Sequence, residues 1–200
     1  MRIRHWVSAL AALGCAIVPS VAFAHTGVGS TSGFLHGFEH PITGLDHILA
    51  MVMVGILAWQ LGGRALWLVP TTFVVVLAVG GALGIAHIDV PFVELGIALS
   101  VIVLGAVVAF GVKAPLAAAM ALVGFFAIFH GHAHGAEMPE DAGGLAYGVG
   151  FMLATALLHL VGIGIGFLIG SVGQRYSPVV VRAAGALVAV AGVGILTGII

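Results

Sequence analysis

Charge is what this sequence has least of. Only 6 of its 200 residues are Lys or Arg and 7 are Asp or Glu. That is 6% of the chain, where soluble domains carry about 25%. Hydrophobic residues make up 62%, and the mean hydropathy is +1.27. So few charges cannot cover the surface of a water-soluble globule, so the chain reads as an integral membrane protein. A formal charge of −1 excludes a basic nucleic-acid binder. The lone cysteine, Cys15, excludes a disulfide framework and a thiolate metal cluster. The apolar–polar alternation of a membrane β-barrel is absent, which leaves a helical bundle. A nucleotide-binding loop is also lacking, so direct ATP drive is not expected.

The first 24 residues read as a cleavable signal peptide. Arg2 and Arg4 form a basic start, Trp6 to Val18 an apolar stretch, and Ala22-Phe23-Ala24 a small-x-small cleavage site. The stretch is short for a span and Pro19 follows it, which argues against an uncleaved helix. Cleavage makes residues 25–200 the membrane domain and His25 the new N-terminus.

A span needs about 20 apolar residues. Six stretches qualify, at roughly 41–62, 66–86, 92–112, 115–133, 144–172 and 178–200. Pro41, Pro91, Pro115 and Pro178 each stand at or near an expected helix start. Connections such as Gly63-Arg64 are short, so neighbouring helices run antiparallel. The expected fold is an all-α integral membrane protein, a compact bundle of about six transmembrane helices after signal-peptide removal. Small-residue stripes, Gly162-Gly166-Gly170 and Gly185-Ala189-Gly192, favour close helix packing.

The few charges are sorted. Arg64, Lys113, Arg175 and Arg182 all fall at one set of helix ends, the cytoplasmic set by the positive-inside rule. That orientation places the mature N-terminus in the periplasm and the chain in the inner membrane. Glu39, Asp89, Glu137, Glu140 and Asp141 fall at the outer ends, with His25, His36, His40, His87, His132 and His134. Asp46, His47, Glu94 and His130 lie in the outer third of spans, and only His159 is near a span's middle.

Two constellations carry metal-binding chemistry. In His40-Pro41-Ile42-Thr43-Gly44-Leu45-Asp46-His47, a helix starting near Pro41 puts His40 and His47 on one face, with Asp46 beside it. A buried carboxylate there needs a cation, a donor or water; a bond to a neighbouring helix would also satisfy it. In His130-Gly131-His132-Ala133-His134-Gly135-Ala136-Glu137, His130 and His134 have the i, i+4 spacing that lets two imidazoles share an ion. Gly131 and Gly135 predict fraying there, and an unwound segment would let His132 join. Glu94, in the first turn after Pro91, suits either the helix dipole or a site shared with Asp46 and His130. His159 suits a deeper station or an interhelical hydrogen bond. His25 offers an amine and a ring as chelators if cleavage follows Ala24. Imidazole and carboxylate without thiolate suit Ni²⁺, Zn²⁺, Co²⁺ or Cu²⁺ and do not choose among them.

These motifs resemble the HupE/UreJ family of hydrogenase- and urease-associated membrane proteins. The resemblance rests on His40 to His47 with the following Ile-Leu-Ala-Met-Val, on Phe129 to Glu137, and on Ala154-Thr-Ala-Leu-Leu-His159. It implies nickel as cargo and a link to hydrogenase or urease maturation. It also implies His40, Asp46, His47, Glu94, His130, His134 and Glu137 as residues of the permeation site. The expected function is a divalent-metal permease, not an enzyme. Ni²⁺ is its transported ion, with Co²⁺ or Zn²⁺ as the alternatives, and no cofactor is tightly bound. Its expected partners are the metal ion and the lipid bilayer, not nucleic acid, and a homo-oligomer stays open. The competing class is an intramembrane zinc hydrolase using His47, His130, His134 and Asp46 to activate water; against it, no His-Glu-x-x-His helix is present.

Overall fold

The computed structural model describes residues 33–138, 144–171, 173 and 177–200. The expected signal peptide, His25, Glu140, Asp141 and Arg175 lie outside the described residues. In chain order the elements are α1 (Gly33–Glu39), a 3₁₀ turn (His40–Ile42), α2 (Leu45–Leu61) and α3 (Ala65–Ile85). They are followed by α4 (Val93–Phe110), α5 (Leu116–Ala136), α6 (Gly144–Gly170) and α7 (Ser177–Leu196). Among the described residues there is no strand. Helices α3 to α7 are each long and apolar enough to cross a membrane, and α1 with α2 makes a sixth span if the bent pair counts as one. The ends follow local chemistry: Gly62 closes α2 at φ 69° and Gly111 closes α4 at φ 63°, left-handed values that favour glycine.

The first expected span, 41–62, is one helix only from Leu45 to Leu61, and its start at Pro41 is a turn instead. The segments Gly33–Ile42 and Leu45–Leu61 meet at 79°. Pro41 lacks the amide that would extend α1, and it sits in the 3₁₀ turn rather than at a span's start. Thr43 Oγ1 donates to the His40 carbonyl at 2.7 Å, which closes the turn. Gly44 then takes an extended backbone, φ −85° and ψ 121°, and α2 begins afresh. His40 and His47 therefore do not share one continuous helix face.

A second expectation also fails for a physical reason. The chain at Gly131 and Gly135 does not fray, because α5 runs on to Ala136. Both glycines lie flat against α3, where a Cβ would overlap the carbonyls of Leu77 and Gly81. Gly80 and Gly84 of α3 press back on Ile128 and His132. The same device joins the other principal pairs. Gly55 of α2 meets Gly162 of α6, Gly105 of α4 meets Gly185 of α7, and Gly37 of α1 meets Tyr147 of α6. The two stripes expected from sequence are used in this way, Gly166 and Gly170 receiving the Trp59 ring.

Helix α2 occupies the centre, touching α3, α4 and α6, with residues 53–58 all buried. The outer helices present Trp67, Val75, Phe125, Phe167 and Leu187 outward, an apolar girdle suited to lipid. Lipid tails are as apolar as these side chains, so helix pairing depends on close packing rather than on a hydrophobic force.

Gly185→Ala should force α4 and α7 apart and lower stability in detergent by about 1–3 kcal/mol. Gly164 has open space where a Cβ would stand, so Gly164→Ala should melt no lower than the native protein. Equal thermal melting of the two variants would show that the close approach carries no stability.

Candidate metal centre

The break before α2 and the last turns of α5 bring the two histidine motifs together at one end of the bundle. Asp46 lies in the first turn of α2, and its Oδ1 accepts the His47 amide at 2.7 Å. This satisfies one of the four free amides at the helix start. His47 points inward and is 1% exposed. His130, one turn before His134 on the same face of α5, is fully buried. The Nδ1 atoms of His47 and His130 stand 3.2 Å apart. On the far side of each ring is a hydroxyl. His130 Nε2 is 2.8 Å from Ser100 Oγ of α4, and His47 Nε2 is 3.3 Å from Thr155 Oγ1 of α6.

A looser group lies above this pair. His40, His134 and Glu137 each offer one ligand atom, all within 4.8 Å of one another. His40 Nε2 is 3.7 Å from Glu137 Oε2, with side chains 31% and 61% exposed. Ring centroids then step inward: 6.2 Å from His36 to His40, 4.7 Å from His40 to His134, 5.1 Å from His134 to His47 and 5.0 Å from His47 to His130. Phe151 walls this line, 4.5 Å from His134 and 5.2 Å from His47.

Beyond His130 the imidazole line is interrupted by Phe73, whose ring is 5.9 Å from His130 and 5.2 Å from His159. His159 is 1% exposed, and among the described residues neither of its ring nitrogens has a hydrogen-bond partner. A buried imidazole with no protein partner leaves both nitrogens open to water or an ion.

The donor geometry fits two different grips on a cation. At metal–nitrogen distances of about 2.0–2.1 Å, two imidazoles on one ion stand about 2.9–3.4 Å apart. The His47–His130 pair already has that spacing. The outer three atoms are wider and leave room for bound water. A hydrated ion suits the outer group and a stripped one the inner pair.

The other expected residues lie elsewhere. Glu94 is exposed on the first turn of α4, outside the outer group. His132 turns away from the cluster, its Nε2 2.9 Å from the Ile88 carbonyl, because α5 stays helical. His87 is exposed in the α3–α4 connection at φ 53°. Basic residues gather at the opposite end, where Arg64 and Lys113 share one cavity lining and Lys113 and Arg182 another.

Sequence reasoning missed Ser100, Thr155, Phe73 and Phe151. Ser100 had a legible signal: apart from Glu94, it is the one polar side chain in α4. Thr155 falls inside the motif ending at His159. The two phenylalanines had none among so many apolar residues.

Fold and site together define a polytopic helical membrane protein with a histidine–carboxylate cluster at one end of its bundle. The sequence matches the HupE / UreJ protein family over residues 13–195. It is 50% identical over 187 residues to Protein HupE of Rhizobium leguminosarum bv. viciae, covering 93% of this chain and 95% of the relative. The chain belongs to the HupE/UreJ family. No solved structure matches it.

Calorimetric titration of Ni²⁺ into the detergent-purified protein should separate the two grips. His47→Ala or His130→Ala should weaken binding more than about ten-fold, equivalent to 1.4 kcal/mol. Glu137→Gln should change it by less than that. A larger loss from Glu137→Gln than from His130→Ala would place the principal site at the rim.

Proposed function

We propose that the chain is a divalent-metal permease with nickel as its cargo. One observation carries this reading: imidazoles from the 3₁₀ turn, α5 and α2 form a stepped line from an exposed rim to a fully buried pair. A resident structural metal needs a closed ligand set. A transported ion needs several weaker stations in series, each releasing what it binds.

The ion arrives at a rim that carries Glu137, with Glu94 exposed at the same end. His40, His134 and Glu137 capture it while it keeps part of its water. His47 and His130 then take it as two neutral nitrogen ligands. Phe73 separates that pair from His159, so passage requires the Phe73 ring to move. His159 receives the ion with nitrogens that no group among the described residues bonds. Asp46 acts on this path through the backbone of His47, whose amide it holds. Movement down the concentration gradient is the simplest drive for such a path.

The distribution of basic residues supports an inner-membrane protein whose cluster faces the periplasm, and the small-x-small pattern ending at Ala24 supports His25 as the mature N-terminus. Membership of the HupE/UreJ family, with the nickel cargo and the hydrogenase or urease link that the motifs' resemblance implies, supports supply of nickel to one of those maturation systems. No observation favours the intramembrane hydrolase.

Uptake of radioactive Ni²⁺ into proteoliposomes tests the proposal. His130→Ala should abolish accumulation and Asp46→Ala, which removes the oxygen that holds the His47 amide, should lower it, while Lys113→Ala, at the opposite end, should leave it near the native rate. Normal uptake by both site variants would refute the path. Competition by Co²⁺ and Zn²⁺ in the same assay reads the selectivity.

A further inference from the structure

Two hydroxyls flank the inner histidine pair, and the proton of one of them is already committed. Ser100 Oγ lies 2.6 Å from the carbonyl oxygen of Ile97 and 2.8 Å from His130 Nε2. A carbonyl only accepts, so the single hydroxyl proton of Ser100 goes to Ile97. Toward His130 the oxygen then has only lone pairs to offer, and His130 Nε2 must carry hydrogen and donate.

The assignment propagates. A neutral imidazole protonated at Nε2 has a bare Nδ1. That lone pair faces His47 Nδ1 at 3.2 Å. For the two rings to bond, His47 must be protonated at Nδ1, which leaves its Nε2 bare. That nitrogen meets the Thr155 hydroxyl at 3.3 Å, which donates to it. One carbonyl on α4 thereby orders four groups on four helices.

We propose that Ser100 is a positioning residue for the ion path, holding His130 in the tautomer whose Nδ1 lone pair is aimed at the passing cation. When an ion enters between the rings, His47 gives up its Nδ1 proton and takes one at Nε2, where the Thr155 oxygen stands to accept the bond. This rests on the reading of His47 and His130 as ion ligands. Without the Ser100 hydroxyl, His130 is free to carry its proton on Nδ1, in the place where the ion must bind. Ser100 itself touches no ion; it acts through the ring.

Two measurements test this. Nitrogen-15 NMR of histidine-labelled, metal-free protein in detergent should show His130 neutral and protonated at Nε2, the resonance being assigned by its loss in His130→Gln. Ser100→Ala should convert that resonance to the Nδ1-protonated form or a mixture. In proteoliposomes Ser100→Ala should raise KM for Ni²⁺ by about 10- to 100-fold, the usual effect of losing a group that orients a metal-binding histidine. Its Vmax should change far less than its KM, and Ser100→Thr, which keeps the hydroxyl, should restore most of the KM. Native His130 protonated at Nδ1 would overturn the proposal, whatever any variant does. So would an unchanged KM in Ser100→Ala while His130→Ala abolishes uptake, an outcome that leaves the permeation path standing. Unimpaired uptake by His130→Ala would instead remove the path, leaving the NMR result to decide the tautomer.

Discussion

The architecture depends on helix backbones touching. Inside a bilayer, apolar side chains gain nothing by leaving lipid for protein, so association needs contacts that lipid cannot make. Glycine supplies them here by letting the carbonyls and Cα atoms of one helix reach the next. Gly80, Gly84, Gly131 and Gly135 bind α3 to α5, Gly55 and Gly162 bind α2 to α6, and Gly105 and Gly185 bind α4 to α7. The site inherits its dimensions from these contacts. His130 immediately precedes Gly131, and the His159 carbonyl is among the atoms against which Gly55 rests. A Cβ at either glycine would move an imidazole by a distance comparable to the tolerance of a metal–nitrogen bond.

The 79° break turns this rigid frame into a graded site. A straight helix would have stacked His40 and His47 along one face, with equal access to neighbouring helices. Bending at Thr43–Gly44 leaves His40 half-exposed beside Glu137 and buries His47 against His130. His134 lies between the two levels, within 5.1 Å of both rings. The result is one wide, wet group and one narrow, dry pair formed from adjacent motifs.

Much of this was legible in the sequence, and the parts that were not share a cause. Apolar runs, short connections and sorted charges mark the helices, because bilayer thickness and hydration act on each segment separately. The i, i+4 spacing of His130 and His134 is likewise a local property. Partners on other helices are not local. Gly131 reads as a helix weakness until α3 is placed against it, and Pro41 reads as a helix start until Gly37 and Gly150 are seen seated on α6 and α1. Ser100 acquires meaning only through a histidine 30 residues away, and Thr155 through one 108 residues away.

Those separations also bear on how the protein is made. His47 enters the membrane with the first helices of the bundle, yet its ring partners lie 83 and 108 residues later in the chain. Until α5 and α6 arrive, that imidazole has neither. The α4–α5 hairpin is different, because Ser100 and His130 come from consecutive helices. One half of the inner pair is thus ordered as soon as its hairpin inserts. The other waits for the fifth crossing, because Thr155 is carried by α6.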